Sequence, residues 1–267
     1  MKIVVAVKQV AALDEDFEIR ADGLDVEEDF LMYDLNEWDD YSLEEAMKIK
    51  EAAAEGAVEV IAVSVGPERV DESLRKCLAK GADRAIRVWD DAMEGSDAVT
   101  IGRILAGVVK KEAPAMVFAG VQSSDQANAA TGMAIAATLD WPHAAVVAEL
   151  DYQPAANSAR IKRELEGGLL QAVEIDCPAV LTLQLGINKP RYASLRGIKQ
   201  AAAKPIEHWA LADIGLDAAQ VGATAALSRV RRMEIPVKGR AQMIEGTIAE
   251  QAARLIEIIK EYKGETA

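Results

Sequence analysis

The chain contains few of the residues on which self-contained chemistry depends. Its 267 residues include only two histidines and two cysteines, and aromatic residues make up 4%. Cys77 and Cys177 have neither metal-ligand spacing nor a disulfide framework, which indicates inert core thiols in a reducing compartment. His143 follows a Trp-Pro pair and His208 lies in an acidic stretch, so neither has the ordered partners that a catalytic base requires. A structural or surface role is predicted for both histidines.

The common catalytic and nucleotide-binding motifs are missing as well. The sequence has no Walker loop, no GxGxxG after a strand, no His-Glu-x-x-His, no CxxC and no nucleophile elbow. Carboxylates are abundant, as at 14–16 and 39–40, but no spacing singles out an acid/base pair, and solvated faces account for them. We therefore expect neither catalytic residues nor a metal site, and a self-contained enzyme is disfavoured.

Charge and hydropathy exclude two further classes. With 44 acidic and 30 basic residues, the chain carries a net charge of -14, so nucleic acid and anionic membranes would repel it. No apolar run approaches the roughly 18 residues of a membrane span. The first apolar run, 3–7, is stopped by Lys8 too early for a signal peptide. A cytoplasmic protein without direct membrane insertion is predicted.

Strand-like and helix-like patterns alternate along the first two thirds of the chain. Apolar runs typical of strands buried on both faces occur at 3–7, 58–65, 85–88, 115–119 and 179–183. Helical patterns occur at 42–54, opened by a capping box of Ser42 and Glu45, at 68–80, ended by Gly81, and at 97–111. Two short runs between 159 and 175 flank a double glycine and predict a hairpin. The fold class is therefore α/β, with a mostly parallel, Rossmann-like sheet, an antiparallel hairpin and an extended C-terminal arm.

The pattern changes after residue 187. Residues 1–187 are expected to form the α/β core, and 188–205 form a Pro-, Arg- and Lys-containing segment around an exposed Leu195. Residues 206–267 comprise an acidic linker, a basic arm at 228–240 and a helix. One face of that helix carries Ile244, Ile248, Ala252, Leu255, Ile259 and Tyr262. These last elements either contact another protein or fold back on their own domain.

The strongest local candidate for a ligand site is the loop AGVQSSDQANAATG at 119–132, between a strand pattern and a helix pattern. It offers hydroxyl and amide groups, and its small residues leave backbone N–H groups accessible at the start of the helix. Such a helix terminus binds one phosphate without a lysine. An ordinary loop capped by Ser124 or Asp125 fits the same residues.

Several motifs together identify a family resemblance. In order along nearly the whole chain they are KIVVAVKQV, VIAVSVGP, LAKGADRAIRV, the loop at 119–132, LDWP, IKRELEGGLLQAVEIDCPAVLT and NKPRYASLRGI. This set resembles the β subunit of electron transfer flavoproteins. The stretch YDLNEWDDYSLEEAMKIKE is similar to the versions found in methylotrophic bacteria, whose electron donor is trimethylamine dehydrogenase.

The resemblance implies an electron carrier without catalytic turnover of its own. It implies a heterodimer with an α subunit that holds most of the FAD, an AMP buried in this chain, a dehydrogenase as donor and a membrane-linked quinone oxidoreductase as acceptor. The architecture implied is that of adenine-nucleotide hydrolases. The implied AMP-binding residues are Ala6, Asn36, Glu37, Trp38, Asp39, Val65, Gly120, Val121, Gln122, Ser123, Ser124, Asp125, Gln126, Ala127, Asn128, Ala129, Ala130 and Thr131.

The resemblance also implies a docking loop, in which Tyr192 and Leu195 meet the dehydrogenase; a leucine tucked under its own loop is the alternative. Leu13 stands where some family members have a tyrosine near the flavin, so an aromatic contact to FAD is not expected. The lysine-rich run of animal relatives is reduced here to Lys199 and Lys204, so its regulation is not carried over. An adenine-nucleotide enzyme would need a glycine-rich loop after the first strand, and a free-standing AMP sensor would have little use for the C-terminal arm.

Overall fold

A nine-stranded sheet is the main element of the fold. The structure is a computed structural model that describes residues 1–12, 17–29, 31–236, 239 and 241–263. The strands are β1 (Lys2–Ala6), β2 (Gln9–Ala12), β3 (Met32–Leu35), β4 (Glu59–Val65), β5 (Arg84–Val88), β6 (Met116–Gly120), β7 (His143–Gln153), β8 (Ser158–Glu164), β9 (Leu170–Asp176), β10 (Ala179–Leu183) and β11 (Glu207–Trp209). The helices are α1 (Glu37–Ala52), α2 (Asp71–Lys80), α3 (Ala98–Glu112), α4 (Thr131–Leu139), α5 (Leu195–Ala203), α6 (Gly222–Ala225) and α7 (Ile248–Lys263).

The large sheet is parallel over most of its width. Its order is β11-β5-β4-β1-β6-β10-β7-β8-β9, and only the last two pairings, β7 with β8 and β8 with β9, are antiparallel. The strands β2 and β3 form a separate antiparallel ribbon. This confirms the predicted α/β class and its antiparallel hairpin. The chain runs from β1 to β4 and β5 on one side and to β6 and β10 on the other, so the sheet has a switch point between β1 and β6. Ligands of open α/β sheets bind at such a point.

Both faces of the central strands are buried, which explains their continuous apolar sequences. In β1, Ile3 and Val5 pack into one apolar layer, whereas Val4 and Ala6 pack into the layer on the opposite face. Successive side chains of a strand point to opposite faces, so a strand covered by helices on both sides needs apolar residues at every position.

The first helix begins earlier than predicted. Asn36 precedes it, and Ser42 lies inside the helix, where its hydroxyl donates to the Trp38 carbonyl over 3.0 Å. The expected capping box of Ser42 and Glu45 is therefore wrong: the serine bonds back one turn within a continuous helix. The other two helix predictions hold within a few residues. Gly81 ends α2 with φ of 119°, a conformation that glycine adopts without a steric penalty.

The core continues beyond the predicted boundary at residue 187. Residues 195–203 form α5, and β11 joins the sheet edge beside β5. Leu211 and Ile214 are buried, so 206–217 belongs to the packed structure and differs from the expected linker. None of the helices in the described ranges combines the length and hydropathy needed to cross a bilayer.

Two compact units divide the chain, one from Met1 to Arg231 and one that begins at Arg232. The second unit contains α7, in which no residue is buried. Ile244 precedes this helix, whereas Ile248, Leu255, Ile259 and Tyr262 lie on it with exposed side chains. Residues 237, 238 and 240 of the predicted basic arm lie outside the described residues, as does Leu13.

Candidate functional site

A cavity of about 360 Å³ lies at the carboxyl ends of β1 and β6, at the switch point of the sheet. Fourteen of the eighteen residues predicted to bind a nucleotide line it, although they come from four separate parts of the chain. They are Ala6, Asn36, Asp39, Val65, Gly120, Val121, Gln122, Ser123, Asp125, Gln126, Asn128, Ala129, Ala130 and Thr131. The fold therefore brings these distant segments together at one place.

The other four predicted residues lie beside the cavity and do not line it. Glu37 and Trp38 are in the first turn of α1, where the Trp38 indole donates to the Gln184 side chain over 3.2 Å. The Ser124 and Ala127 amides donate to the Asn36 side chain and to the Ser123 carbonyl, over 3.2 and 3.0 Å. These bonds fix the shape of the loop.

Asn36 connects three of the segments through its backbone and its side chain. Its backbone N–H donates to the Lys8 carbonyl over 2.9 Å, and its side-chain NH₂ donates to the Gln122 carbonyl over 2.9 Å. Its side-chain oxygen accepts the bond from Ser124. One amide therefore ties the loop and the end of β1 to the start of α1.

Asp39, one of the residues that line the cavity, joins the ends of the two central strands. Its two carboxylate oxygens accept from the Lys8 N–H over 2.7 Å and from the Gly120 N–H over 2.9 Å. Burial raises the pKa of Asp39 to about 7, although these two donors act in the opposite direction. A Cβ atom at Gly120 would lie 2.6 Å from the nearer carboxylate oxygen, so only glycine allows this approach.

Lys8 is a site residue that the sequence analysis missed. Its ammonium group lies 2.8 Å from a carboxylate oxygen of Asp125 and 3.3 Å from the Ser123 hydroxyl and from the Gln126 side-chain oxygen. Burial raises the pKa of Asp125, but the bonds from Lys8 and Ser123 outweigh it and the pKa is lowered. A lysine therefore lies beside the loop, where the loop sequence alone indicated none. The available signal was the position of Lys8 just after a strand whose end meets the loop.

The loop backbone is strained where it approaches α4. Ala127 and Ala129 both have φ of 50°, in the left-handed region that costs an alanine roughly 1–2 kcal/mol. Such strain concentrates at ligand sites. The loop ends at Thr131, the first residue of α4, and the first N–H groups of a helix have no acceptor within it. The cavity wall therefore includes backbone donors and the positive end of a helix dipole.

Asp97 also lines the cavity, at the start of α3. Its side chain accepts from the Thr100 N–H and also from the backbone N–H groups of Leu227 and Ser228, each over 2.9 Å. Burial raises the pKa of Asp97, but these bonds outweigh it and hold the pKa at about 2. The apolar side chains of Val26, Ile101 and Leu105 line the cavity as well. These apolar side chains suit a flat, weakly polar group.

The remaining titratable candidates lie elsewhere. His143 begins β7 and His208 lies in β11, and neither lines the cavity. Burial raises the pKa of the Cys77 thiol, which suits an inert core residue. Within the described ranges, no group of three or more His, Cys, Asp or Glu side chains is arranged to hold a metal ion. The polar groups that line the cavity can form directional hydrogen bonds and ion pairs with a bound ligand.

The predicted docking residues are highly exposed. Tyr192 is 94% exposed and Leu195 is 88% exposed, so the alternative of a leucine buried beneath its own loop is wrong. Leu195 is the first residue of α5, whose start is capped by the Ser194 hydroxyl accepting from the Gly197 N–H over 3.0 Å. Two large side chains thus project from a well-defined helix start.

Comparison with known proteins gives a consistent result. Residues 24–214 match the electron transfer flavoprotein domain family. The chain is 75% identical over 264 residues to the electron transfer flavoprotein subunit beta of Methylophilus methylotrophus, covering 99% of this chain and 100% of the relative. It is 39% identical to the mitochondrial subunit beta of Arabidopsis thaliana, over 81% of this chain and 84% of the relative. Against the Mus musculus subunit beta it is 32% identical, over 97% and 98% of the two chains. The chain therefore belongs to the electron transfer flavoprotein family, as a β subunit that takes part in electron transfer.

Proposed function

We propose that this chain pairs with an α subunit that holds most of an FAD, binds one AMP itself, and helps to carry electrons from a dehydrogenase to a membrane-linked quinone oxidoreductase. Trimethylamine dehydrogenase is the first donor to test, because the chain has the 75% identical relative in a methylotrophic bacterium. The single observation that carries the nucleotide part is the meeting of the end of β1, the start of α1 and the loop 120–131 around one cavity.

The cavity fits a nucleoside monophosphate in size and in polarity. Its volume of about 360 Å³ lies near the lower end of the roughly 300–1,000 Å³ range of small-molecule pockets. The phosphate would lie against the loop, where the start of α4 and the Lys8 ammonium group supply positive charge. The adenosine would lie between Ala6, Val65 and the start of α1. Asp25, Glu28, Asp97 and Asp125 also line the cavity, and their charges disfavour a polyphosphate.

The flavin supplies the one-electron steps, and this chain contributes binding and orientation. Leu13, the residue expected near the flavin, lies outside the described residues. Residues 188–205 are proposed to dock the dehydrogenase through Tyr192 and Leu195, which expose large side chains. The basic arm and the exposed apolar residues of α7 are proposed to contact the α subunit.

The test is co-expression with the α-subunit gene, followed by size exclusion and extraction of the cofactors. We expect a heterodimer that contains AMP and FAD in equimolar amounts. Removing AMP should slow assembly or lower thermal stability, because a ligand that binds only the folded state stabilises it. The spectrum of already bound flavin should stay the same.

Two results would contradict the proposal. A chain that neither pairs with the α subunit nor retains nucleotide would exclude the main function. Loss of flavin reduction in an AMP-free complex that is still fully assembled would show that the nucleotide takes part in redox chemistry.

A further inference from the structure

Arg191 fastens the docking segment 188–205 to α1 with an unusually complete set of bonds. Its Nε and Nη2 donate to the two carboxylate oxygens of Glu44 over 2.7 and 2.9 Å, and its backbone N–H donates to Glu44 over 3.1 Å. Its Nη1 and Nη2 donate to Glu51 over 2.5 and 3.0 Å. Both carboxylates therefore engage the guanidinium in the two-bond geometry that holds an arginine in one orientation.

The neighbouring bonds hold the segment on both sides of its exposed residues. Asn188 donates to the Tyr41 carbonyl over 3.0 Å and to the Glu45 carboxylate over 2.8 Å, both on α1. On the other side, the Ser194 cap fixes the first turn of α5. Tyr192 and Ala193 lie between these anchors, and Leu195 follows the second one directly. The backbone that presents both exposed side chains is thus held in place before any partner arrives.

The arrangement of charge indicates more than stabilisation. Glu44 is buried, and a buried carboxylate that needs a cation is a poor source of stability compared with an apolar side chain of similar size. What an ion pair of this geometry supplies is orientation. A loop that is already ordered avoids the entropy cost of ordering when it binds, which lowers the dissociation constant.

We propose that Arg191 is a positioning residue for docking: through Glu44 and Glu51 it holds the segment 188–205 in the conformation in which Leu195 and Tyr192 enter the partner dehydrogenase. This inference rests on the proposed docking role of that segment. Arg191 itself need not touch the dehydrogenase.

The experiment compares Arg191→Gln with a matched control, Arg84→Gln, in the full heterodimer. Arg84 has a 29% exposed side chain, against 30% for Arg191, and it also donates hydrogen bonds to two carboxylates, Glu112 and Glu207. Steady-state reduction by the dehydrogenase is measured while the carrier concentration is varied. We expect Arg191→Gln to raise KM about tenfold, equivalent to about 1.4 kcal/mol, with kcat unchanged. Arg84→Gln should leave KM unchanged, and dithionite should reduce all variants at one rate.

A double-mutant cycle separates positioning from a general loss of stability. If Arg191 acts through the exposed leucine, Arg191→Gln should have much less effect on KM in a Leu195→Ala background than in the wild type. Equal effects in the two backgrounds, or a wild-type KM for Arg191→Gln, would overturn the inference. A wild-type KM for Leu195→Ala would instead overturn the docking role itself, so the two failures are distinguishable.

Two milder variants keep the test valid if Arg191→Gln does not fold. Glu51→Gln removes the charge of the more exposed carboxylate and leaves the bonds to Glu44. Arg191→Lys keeps the charge but cannot form the two-bond geometry. Each should raise KM by a smaller factor, roughly twofold to fivefold, and a wild-type KM for both would also overturn the inference.

Discussion

Replacing Asp39 with asparagine should change how the stability of the chain depends on pH. This carboxyl group is buried, and it accepts the Lys8 and Gly120 N–H groups at the ends of the two central strands. Burial raises its pKa from an ordinary value of 3.8 to about 7. Asp39→Asn keeps the shape of the side chain, removes its titration and replaces one of the two acceptor oxygens by an NH₂ group.

The sign and size follow from the raised pKa. The folded chain binds the Asp39 proton more tightly than the unfolded chain, so this contribution to stability is complete below about pH 4 and is lost as the pH rises through about 7. Each pH unit within that window changes the free energy of unfolding by up to about 1.4 kcal/mol. Between pH 5.5 and pH 8 the wild type should therefore lose about 2 kcal/mol through this group. Asparagine loses nothing over the same interval.

The asparagine also leaves one backbone N–H facing an NH₂ group, which costs roughly 1–3 kcal/mol at any pH. This constant cost cancels when the difference between the variant and the wild type at pH 8 is compared with the difference at pH 5.5. Urea unfolding of the full nucleotide-free chain at pH 5.5 and at pH 8 measures these differences in the free energy of unfolding. Both pH values lie above the pI of 4.7. Between pH 5.5 and pH 8, the free energy of unfolding of the variant should rise by about 2 kcal/mol relative to that of the wild type. A difference that stays constant would show that Asp39 is ionised throughout and that the two backbone donors outweigh its burial.

Two further predictions test the surfaces. Leu195→Ala should weaken docking by about one to two orders of magnitude, because burying a leucine is worth roughly 1.5–3 kcal/mol; carrier-dependent reduction by the dehydrogenase measures this, and a fall in melting temperature or in dithionite reduction would show that the substitution damages the heterodimer itself and not docking alone. Deleting everything after Leu227 should abolish pairing with the α subunit and leave a folded α/β core, as checked by pull-down and circular dichroism; pairing at wild-type affinity would assign the arm another role.

The strands were predictable because their signal is local. A strand covered on both faces must be apolar at every position, and β10 begins and ends at the predicted residues. The edge strand β11 has the sequence EHW and no apolar run, so only its pairing with β5 identifies it. The prediction of a capping box at Ser42 was wrong because a serine followed three residues later by a glutamate also occurs inside helices. There the serine hydroxyl donates a hydrogen bond back to the preceding turn.

The position of the candidate site was predictable from its loop and from the family resemblance, but its internal bonds were not. Lys8 and Asp125 are 117 positions apart, and the helical pattern placed the start of α1 at residue 42, beyond Asn36 and Asp39. Which polar side chains meet depends on how the sheet orders its strands, and the local pattern contains no such information. The left-handed conformations of Ala127 and Ala129 could not be predicted from the sequence either, because alanine rarely adopts them.

One helix supports both proposed functional surfaces, and this affects how defective variants should be interpreted. The first turn of α1 and the residue before it reach the candidate nucleotide cavity through Asn36 and Asp39, whereas its later turns hold the proposed docking segment through Glu44 and Glu51. Along the sequence of α1, the buried core residue Ala46 lies between Glu44 and Glu51, the two residues whose carboxylates bind Arg191. A single displacement of α1 would therefore be enough to weaken both nucleotide binding and recognition of the donor, without a second structural change.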